Sequence, residues 1–426
     1  MIRAFLDFWI RPRFRNYDLT NIVFYSTILC LGPLVGSLVS VFAISTAVYS
    51  TLHLATGRLR WAGPQPLKAI AIAFAAFFAA DAVAALANPS ATSLDEVVEN
   101  LPFLGFAGIY SITFIDRFKL LRAVEVAALA GSLATLLVLV LWFGAESRPG
   151  LAARNAAVLA LLGGLLYILN IGAAARRRDR TSIGFLVAAL AAACVVVLSG
   201  TRAIWPLIAI APFIAIACFG SRRVVLLGIP AILLAVMVLS MVGLTTSQVV
   251  QGRVAAFKSD IDAMADGDFS GSLGHRIQIY KAGYELFFDR PLLGYGPGNE
   301  RAEIAHKTAE TDGQPLAYSH AHNALLNSAL RSGLLGVMAL IAVMVTPLVV
   351  AARARKDEVG WAGFHVLAGL FILYAMSGTV GLSLGHDIHD SVYIAGTCYC
   401  LYLIFGRTEA SGRPEPSRAD HGSAVS

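Results

Sequence analysis

Two histidines two residues apart, in Ser319-His320-Ala321-His322-Asn323-Ala324-Leu325-Leu326-Asn327, end a polar segment that begins near Thr245 and stand at the mouth of the next apolar run. A histidine with an unperturbed pKa near 6.5 can accept a hydroxyl proton at neutral pH. On a helix the two rings would point about 200° apart, so they can share a target only if residues 318–322 are extended. An isolated pair would read as interfacial histidines bonded to loop carbonyls. Here Asn323, Asn327 and Arg331 continue a polar stripe into the apolar run, which favours a functional reading. Two arginines complete the set. Arg202 ends Ser199-Gly-Thr-Arg202, and Arg276 follows Gly274-His275. Alone, each reads as an interfacial anchor or a solvated charge. With a histidine they suit a phosphorylated substrate, because the guanidinium fork matches phosphate oxygens and stays charged at any pH.

The remaining motifs carry less chemistry. Gly294-Tyr-Gly-Pro-Gly298, after Arg290-Pro-Leu-Leu, lacks the spacing of a nucleotide loop and reads as a tight turn returning the segment to the mouth. His386-Asp-Ile-His-Asp390 has metal-ligand residue types but reads as a helix start capped by Asp387. No metal and no cofactor are assigned. Asp81 is the one acidic residue read as lying well inside a span, and it should pair internally. The five cysteines fall in apolar runs and read as core.

The elements that position these residues are membrane spans. The 426 residues are 57% hydrophobic and 14% charged, well below the roughly quarter charged in soluble domains. A bilayer core about 30 Å thick takes about 20 apolar residues per helix, which makes the chain an all-α polytopic membrane protein of about 12 helices. Lys and Arg gather in alternate short loops, a topological signal that argues against nucleic-acid binding. Residues 1–18 form a cytoplasmic N-terminus without a cleavage site, and residues 19–244 hold TM1 to TM9. Residues 245–318 form a large periplasmic loop, residues 319–405 hold TM10 to TM12, and residues 406–426 form a cytoplasmic disordered tail. TM1 and TM2 divide at Gly32-Pro33, TM3 is about 67–87, TM4 about 101–115, and the acidic stretch 88–100 is an outer loop. Within the long loop, residues 276–288 form an amphipathic helix that lies along the membrane surface or packs over the mouth. No repeat relates the two halves.

The ordered set Ser199-Gly-Thr-Arg202, Arg276-Ile-Gln-Ile-Tyr-Lys-Ala-Gly, Arg290-Pro-Leu-Leu-Gly-Tyr-Gly-Pro-Gly-Asn299, His320-Ala-His-Asn-Ala-Leu-Leu-Asn327 and Gly333-Leu-Leu-Gly336 resembles the O-antigen ligase and Wzy-type polysaccharide polymerase superfamily. The resemblance implies a GT-C-like fold in the bacterial inner membrane with the site facing the periplasm. It implies a metal-independent, inverting glycosyltransferase whose donor is a glycan on undecaprenyl diphosphate. The acceptor would be the lipid A core for a ligase, or a second lipid-linked glycan for a polymerase. By the same resemblance Arg202 and Arg276 hold the diphosphate, and His322, with His320 as second candidate, activates the acceptor hydroxyl. Asn323, Gly294, Gly296 and Arg290 support them. Tyr280 stands where this resemblance leads one to expect a tryptophan. A transporter of lipid-linked oligosaccharide is the alternative from another class, but it would carry charges through the bundle at mid-depth.

Overall fold

The computed structural model describes residues 17–143, 150–220, 258–313 and 315–408; these residues contain helices and no strand. The expected TM9 lies outside them. The first apolar run divides at Gly32-Pro33 as expected, into α1 (Tyr17–Cys30) and α2 (Leu38–Ala55). Next come α3 (Leu67–Ala87) and the short α4 (Ala91–Glu99). The acidic stretch expected to be loop is thus helical, with Ser90 capping it through a hydrogen bond from the Ser93 N–H. Residues Leu101–Gly105 form a 3₁₀ turn that runs into α5 (Phe106–Ile112). This corrects the expected TM4, because twelve residues wound this way rise only about 20 Å, short of a bilayer core. The chain continues with α6 (Arg117–Phe143), α7 (Ala156–Arg176), α8 (Thr181–Leu198) and α9 (Trp205–Phe219). The polar segment holds α10 (Ser272–Asp289) and α11 (Glu300–Asp312). After it come α12 (Ala324–Ala354), α13 (Glu358–Gly378) and α14 (Asp387–Phe405).

Nine helices among the described residues are long and apolar enough to cross a membrane. The centre of the bundle is α7 and α14, each 94% buried along its span, while the others turn a side outward. Small residues on α7 permit this enclosure: Gly163 lies against Val195 and Val196, and Gly172 against the His365 ring.

The two ends of the bundle differ in chemistry. At one end Arg176 and Arg177 bind the buried Glu125 at 2.7 and 2.5 Å, Arg176 reaches Glu358 at 3.0 Å, and Arg117 pairs with Asp357. Glu125 lies inside α6, so Asp81 is not the only acidic residue within a span. At the other end the turn after α3, α4, α10, α11 and the start of α12 assemble the candidate site.

Candidate active site at a broken helix

Helix α12 is two helices joined at a break, where Ser332 (φ −134°) and Gly333 (φ 63°, ψ −154°) leave helical geometry. An unbroken helix would bond the Leu334 and Leu335 N–H groups to the Leu330 and Arg331 carbonyls. Instead the turn after Arg290 inserts there. Tyr295 and Gly296 donate to the Leu330 and Arg331 carbonyls at 2.8 and 2.9 Å, and Leu334 and Leu335 donate to the Pro291 and Leu292 carbonyls at 2.8 and 3.5 Å. Four backbone groups exposed by the break are thereby satisfied inside an apolar bundle, where leaving each one unpaired would cost several kcal/mol. Two glycines make the approach possible. Gly294 (φ 62°) faces the Leu330 carbonyl oxygen and Gly333 faces the Leu292 backbone so closely that a β-carbon on either would collide. The two separated glycine motifs of the sequence are therefore one structural unit.

The break presents Arg331, 7% exposed, to a buried ionic cluster. Its guanidinium donates to Asp81 Oδ2 at 2.9 Å and to Glu96 Oε2 at 2.8 Å, and lies 3.8 Å from Glu300 Oε1. Asp81 also accepts from Asn100 Nδ2 at 2.8 Å and from the Ser332 hydroxyl, so the internal pairing expected of Asp81 is present. Arg301 binds the other oxygen of Glu96 at 2.5 Å. Burial works against the Glu96 charge, but Arg331 and Arg301 outweigh it and hold that carboxyl below its usual range. Glu300 is pushed upward by burial, and its Oε2 has no hydrogen-bond partner among the described residues. The cluster welds α3, α4, α11 and α12 into one wall. Asp81, Asn100, Asn327 and Arg331, with Leu382, Leu384 and Gly385, line a cleft there.

The histidines stand beside that wall. Residues 318–322 are not helical, and His322 takes the left-handed conformation (φ 53°), which is uncommon outside glycine. The chain reversal brings the His320 and His322 rings edge to face at 4.5 Å. Several bonds fix the turn: Asn327 Oδ1 accepts from the Ala321 N–H at 3.1 Å, Asn323 caps α12 by accepting from Leu326 N–H at 3.0 Å, and the Tyr280 hydroxyl donates to the His322 carbonyl at 3.0 Å. Tyr318 packs on the His322 ring at 5.0 Å and hydrogen-bonds His275 at 2.9 Å.

Burial, then the neighbouring His322, Arg301 and Arg276, push His320 down to about 4. His322 is lowered by burial and by Arg276, against a hydrogen bond with the Val380 backbone that favours the charged ring. Both imidazoles are therefore neutral at pH 7 and able to take a proton.

Arg276 is the cation whose charge lowers both histidines, and it has no ion pair among the described residues. Residues 187–341 match the family model described as O-antigen ligase. That segment is similar to the O-antigen ligase family, which supports the resemblance to the O-antigen ligase and Wzy-type superfamily. The segment that matches the O-antigen ligase family contains Arg202, Arg276, Arg290, Gly294, Gly296, His320, His322 and Asn323. No curated protein matches the chain.

Within this O-antigen ligase segment the structure sorts the candidates into two groups. His320, His322 and Arg276 converge. Arg202 is exposed, at the turn between α8 and α9, and no hydrogen bond or ion pair joins it to them among the described residues. It nevertheless lies at the same end of the bundle, since the neighbouring Ile204 and the Leu373 side chain of α13 both meet Gly164. Arg290, Gly294, Gly296 and Asn323 are architectural. Arg290 donates to Asn88 Oδ1 at 2.7 Å and covers the Tyr295 ring, while the two glycines serve the helix break. The His386 to Asp390 stretch differs from expectation in its cap. His386, not Asp387, is the N-cap residue of α14, and Asp390 Oδ1 instead accepts from Gly385 N–H at 2.9 Å. Among the described residues no three His, Cys, Asp or Glu side chains are grouped to hold a metal ion. Sequence reasoning missed Glu96, Asn100, Glu300 and Arg301. Their signal was an acidic stretch without Lys or Arg, at residues 88–100, and a later stretch that carries arginines.

Proposed function

We propose that this protein is a periplasm-facing, inverting glycosyltransferase that moves a glycan from undecaprenyl diphosphate to an acceptor sugar, as an O-antigen ligase acting on the lipid A core. The observation that carries this reading is the neutral histidine pair under the charge of Arg276, a cation with no carboxylate partner among the described residues. The acceptor oxygen bonds to the anomeric carbon from the face opposite the leaving group, its proton passes to an imidazole, and the bond from that carbon to the diphosphate oxygen breaks. Charge then grows on the diphosphate, where Arg276 and the exposed Arg202 take it up. One preorganised donor of this kind typically contributes about 3 kcal/mol.

His322 is the better base of the two. Tyr280 holds its backbone, and His320, depressed to about 4, has less affinity for a proton. A bound diphosphate would offset the Arg276 charge that lowers His322, so the imidazole becomes more basic when the donor is in place. A polymerase, with a second lipid-linked glycan as acceptor, would use the same residues in the same roles. A transporter fits less well, because the buried charges of the described residues sit at the two ends of the bundle, around Arg331 and around Glu125.

The test is a set of purified variants assayed for transfer and for donor affinity. His322→Ala should bind donor normally and lose turnover by about 10²-fold or more, the usual effect of losing a general base. If His320→Ala loses turnover and His322→Ala does not, the base is His320. Normal turnover in both variants would refute the proposal. Transfer should also persist in EDTA.

A further inference from the structure

We propose that α10 is embedded in the lipid bilayer along its outward face, so that the membrane itself holds Arg276 at headgroup depth. At 100° per residue, Ile277, Lys281, Tyr284 and Phe288 fall within roughly 60° of arc. All four are exposed, with Tyr284 at 64% and Phe288 at 60%. On the opposite arc Ile279 and Leu286 are buried in a small core with Tyr295, Ile304 and Leu330, and Ala282 is buried as well. The helix is therefore packed on one side and presents two aromatic rings, an isoleucine and a single lysine on the other. Tyr284 and Phe288 meet edge to face at 4.8 Å.

What covers this face follows from its continuity with the membrane-facing side of α12. Directly after α10 the chain reaches Leu292, 70% exposed, whose carbonyl accepts from the Leu335 N–H. From there exposed apolar side chains run down α12 at Leu334, Met338 and Ile341, at the spacing of one helix face. A helix that crosses the bilayer turns such a face to acyl chains, and the α10 stripe begins where that face ends. Aromatic residues with a lysine whose ammonium can snorkel to phosphate are the residue types of a helix lying in the interface. Arg276 projects from the flank of the same helix, next to Tyr280, which grips the His322 carbonyl. Bilayer contact on α10 would thus set the height of the cation relative to the headgroups. The occupant of the stripe is bulk phospholipid of the leaflet on the side of the site.

The experiment places the photocrosslinker p-benzoylphenylalanine at position 284 or 288 of the full chain. Each protein is reconstituted in vesicles of radiolabelled phosphatidylethanolamine and phosphatidylglycerol. Position 341 on the α12 stripe is the lipid-facing control, and position 306, on the exposed surface of α11, is the water-facing control. The expected result is phospholipid label at 284 and 288 within about twofold of that at 341 and at least tenfold above that at 306. Label at the level of 306, while 341 reacts, overturns the proposal. So does an adduct of twice the chain mass, which would assign the stripe to a second copy, or label acquired only from added polyprenyl diphosphate, which would assign it to the donor. None of these outcomes depends on transfer activity, so the proposed reaction stands or falls separately.

Discussion

The ionic cluster at the helix break should behave as a coupled unit, and the Asp81 and Arg331 pair tests this most directly. Asp81→Leu removes an acceptor of three hydrogen bonds, from Arg331, Asn100 and Ser332, but leaves Arg331 its 2.8 Å contact to Glu96. Arg331→Leu is harsher, since it leaves Asp81 without a cation and Glu96 with Arg301 alone. Removing one partner of a buried pair typically costs about 3–5 kcal/mol, whereas replacing both by apolar groups is often close to neutral. Asp81→Leu should therefore fall near the lower figure, Arg331→Leu near the upper, and the double variant should lose no more than Arg331→Leu alone. The assay is thermal unfolding in detergent, read by a fluorogenic maleimide. Cys30, Cys398 and Cys400 are fully buried, so their thiols react when the bundle opens. If the double variant loses the sum of the two single losses, the residues are not coupled and the account of the break is wrong.

Further outcomes follow from the site. Turnover needs a neutral imidazole, and a lowered pKa keeps the ring neutral as pH falls below the ordinary histidine range. The acid limb of kcat/KM should accordingly lie below pH 6.5 and that of kcat at higher pH, with the donor bound; an acid limb of kcat/KM above 6.5 would contradict the electrostatics. Arg276→Ala should weaken donor binding as well as turnover, while Arg202→Lys should keep much of the binding but lose turnover, because lysine retains the charge and lacks the planar fork. Gly333→Ala should cost about 1–3 kcal/mol or more, combining backbone strain with a collision at Leu292, whereas Gly313→Ala meets open space and should cost less in the same thermal assay. Reporter fusions at Gly267 and Gly313 should score periplasmic and those at Arg178 and Lys356 cytoplasmic; a cytoplasmic score at Gly267 would invert the proposed topology.

What the sequence made legible was what depends on local pattern. The division at Gly32-Pro33, the span 67–87 and the helix after Arg276 are each announced by a breaker or by a period of apolar residues. The stretch 101–115 misled because composition alone does not distinguish a full span from a 3₁₀ turn leading into two helical turns. The acidic stretch 88–100 was not readable as a helix, because its order comes from partners about two hundred residues away. Asn88 receives Arg290, Ser90 bonds Asn299 at 2.8 Å, and Glu96 takes both Arg301 and Arg331. The helix break was equally hidden. Ser332-Gly333 within an apolar run looks like a tolerated glycine until the turn that replaces its two hydrogen bonds is placed beside it.

The same limit governs the arginines, and there it decides the chemistry. By residue type Arg202, Arg276, Arg290, Arg301 and Arg331 are equivalent candidates to bind a phosphate. Two are neutralised by carboxylates, Arg331 by Asp81 and Glu96 and Arg301 by Glu96, while Arg290 keeps its charge but is tied to the turn by the Asn88 amide and the Tyr295 ring. A guanidinium neutralised by a carboxylate in its own wall has little charge left for a ligand, and releasing it would strand the carboxylate at a cost of several kcal/mol. Arg276 and Arg202 carry no such partner among the described residues, so they can meet a diphosphate without breaking anything. Arg301→Gln and Arg276→Gln should then separate. The first should lower thermal stability with little change in the donor affinity of the folded fraction, and the second should lower donor affinity with little change in stability. If both act on stability alone, Arg276 belongs to the scaffold and the diphosphate site lies elsewhere.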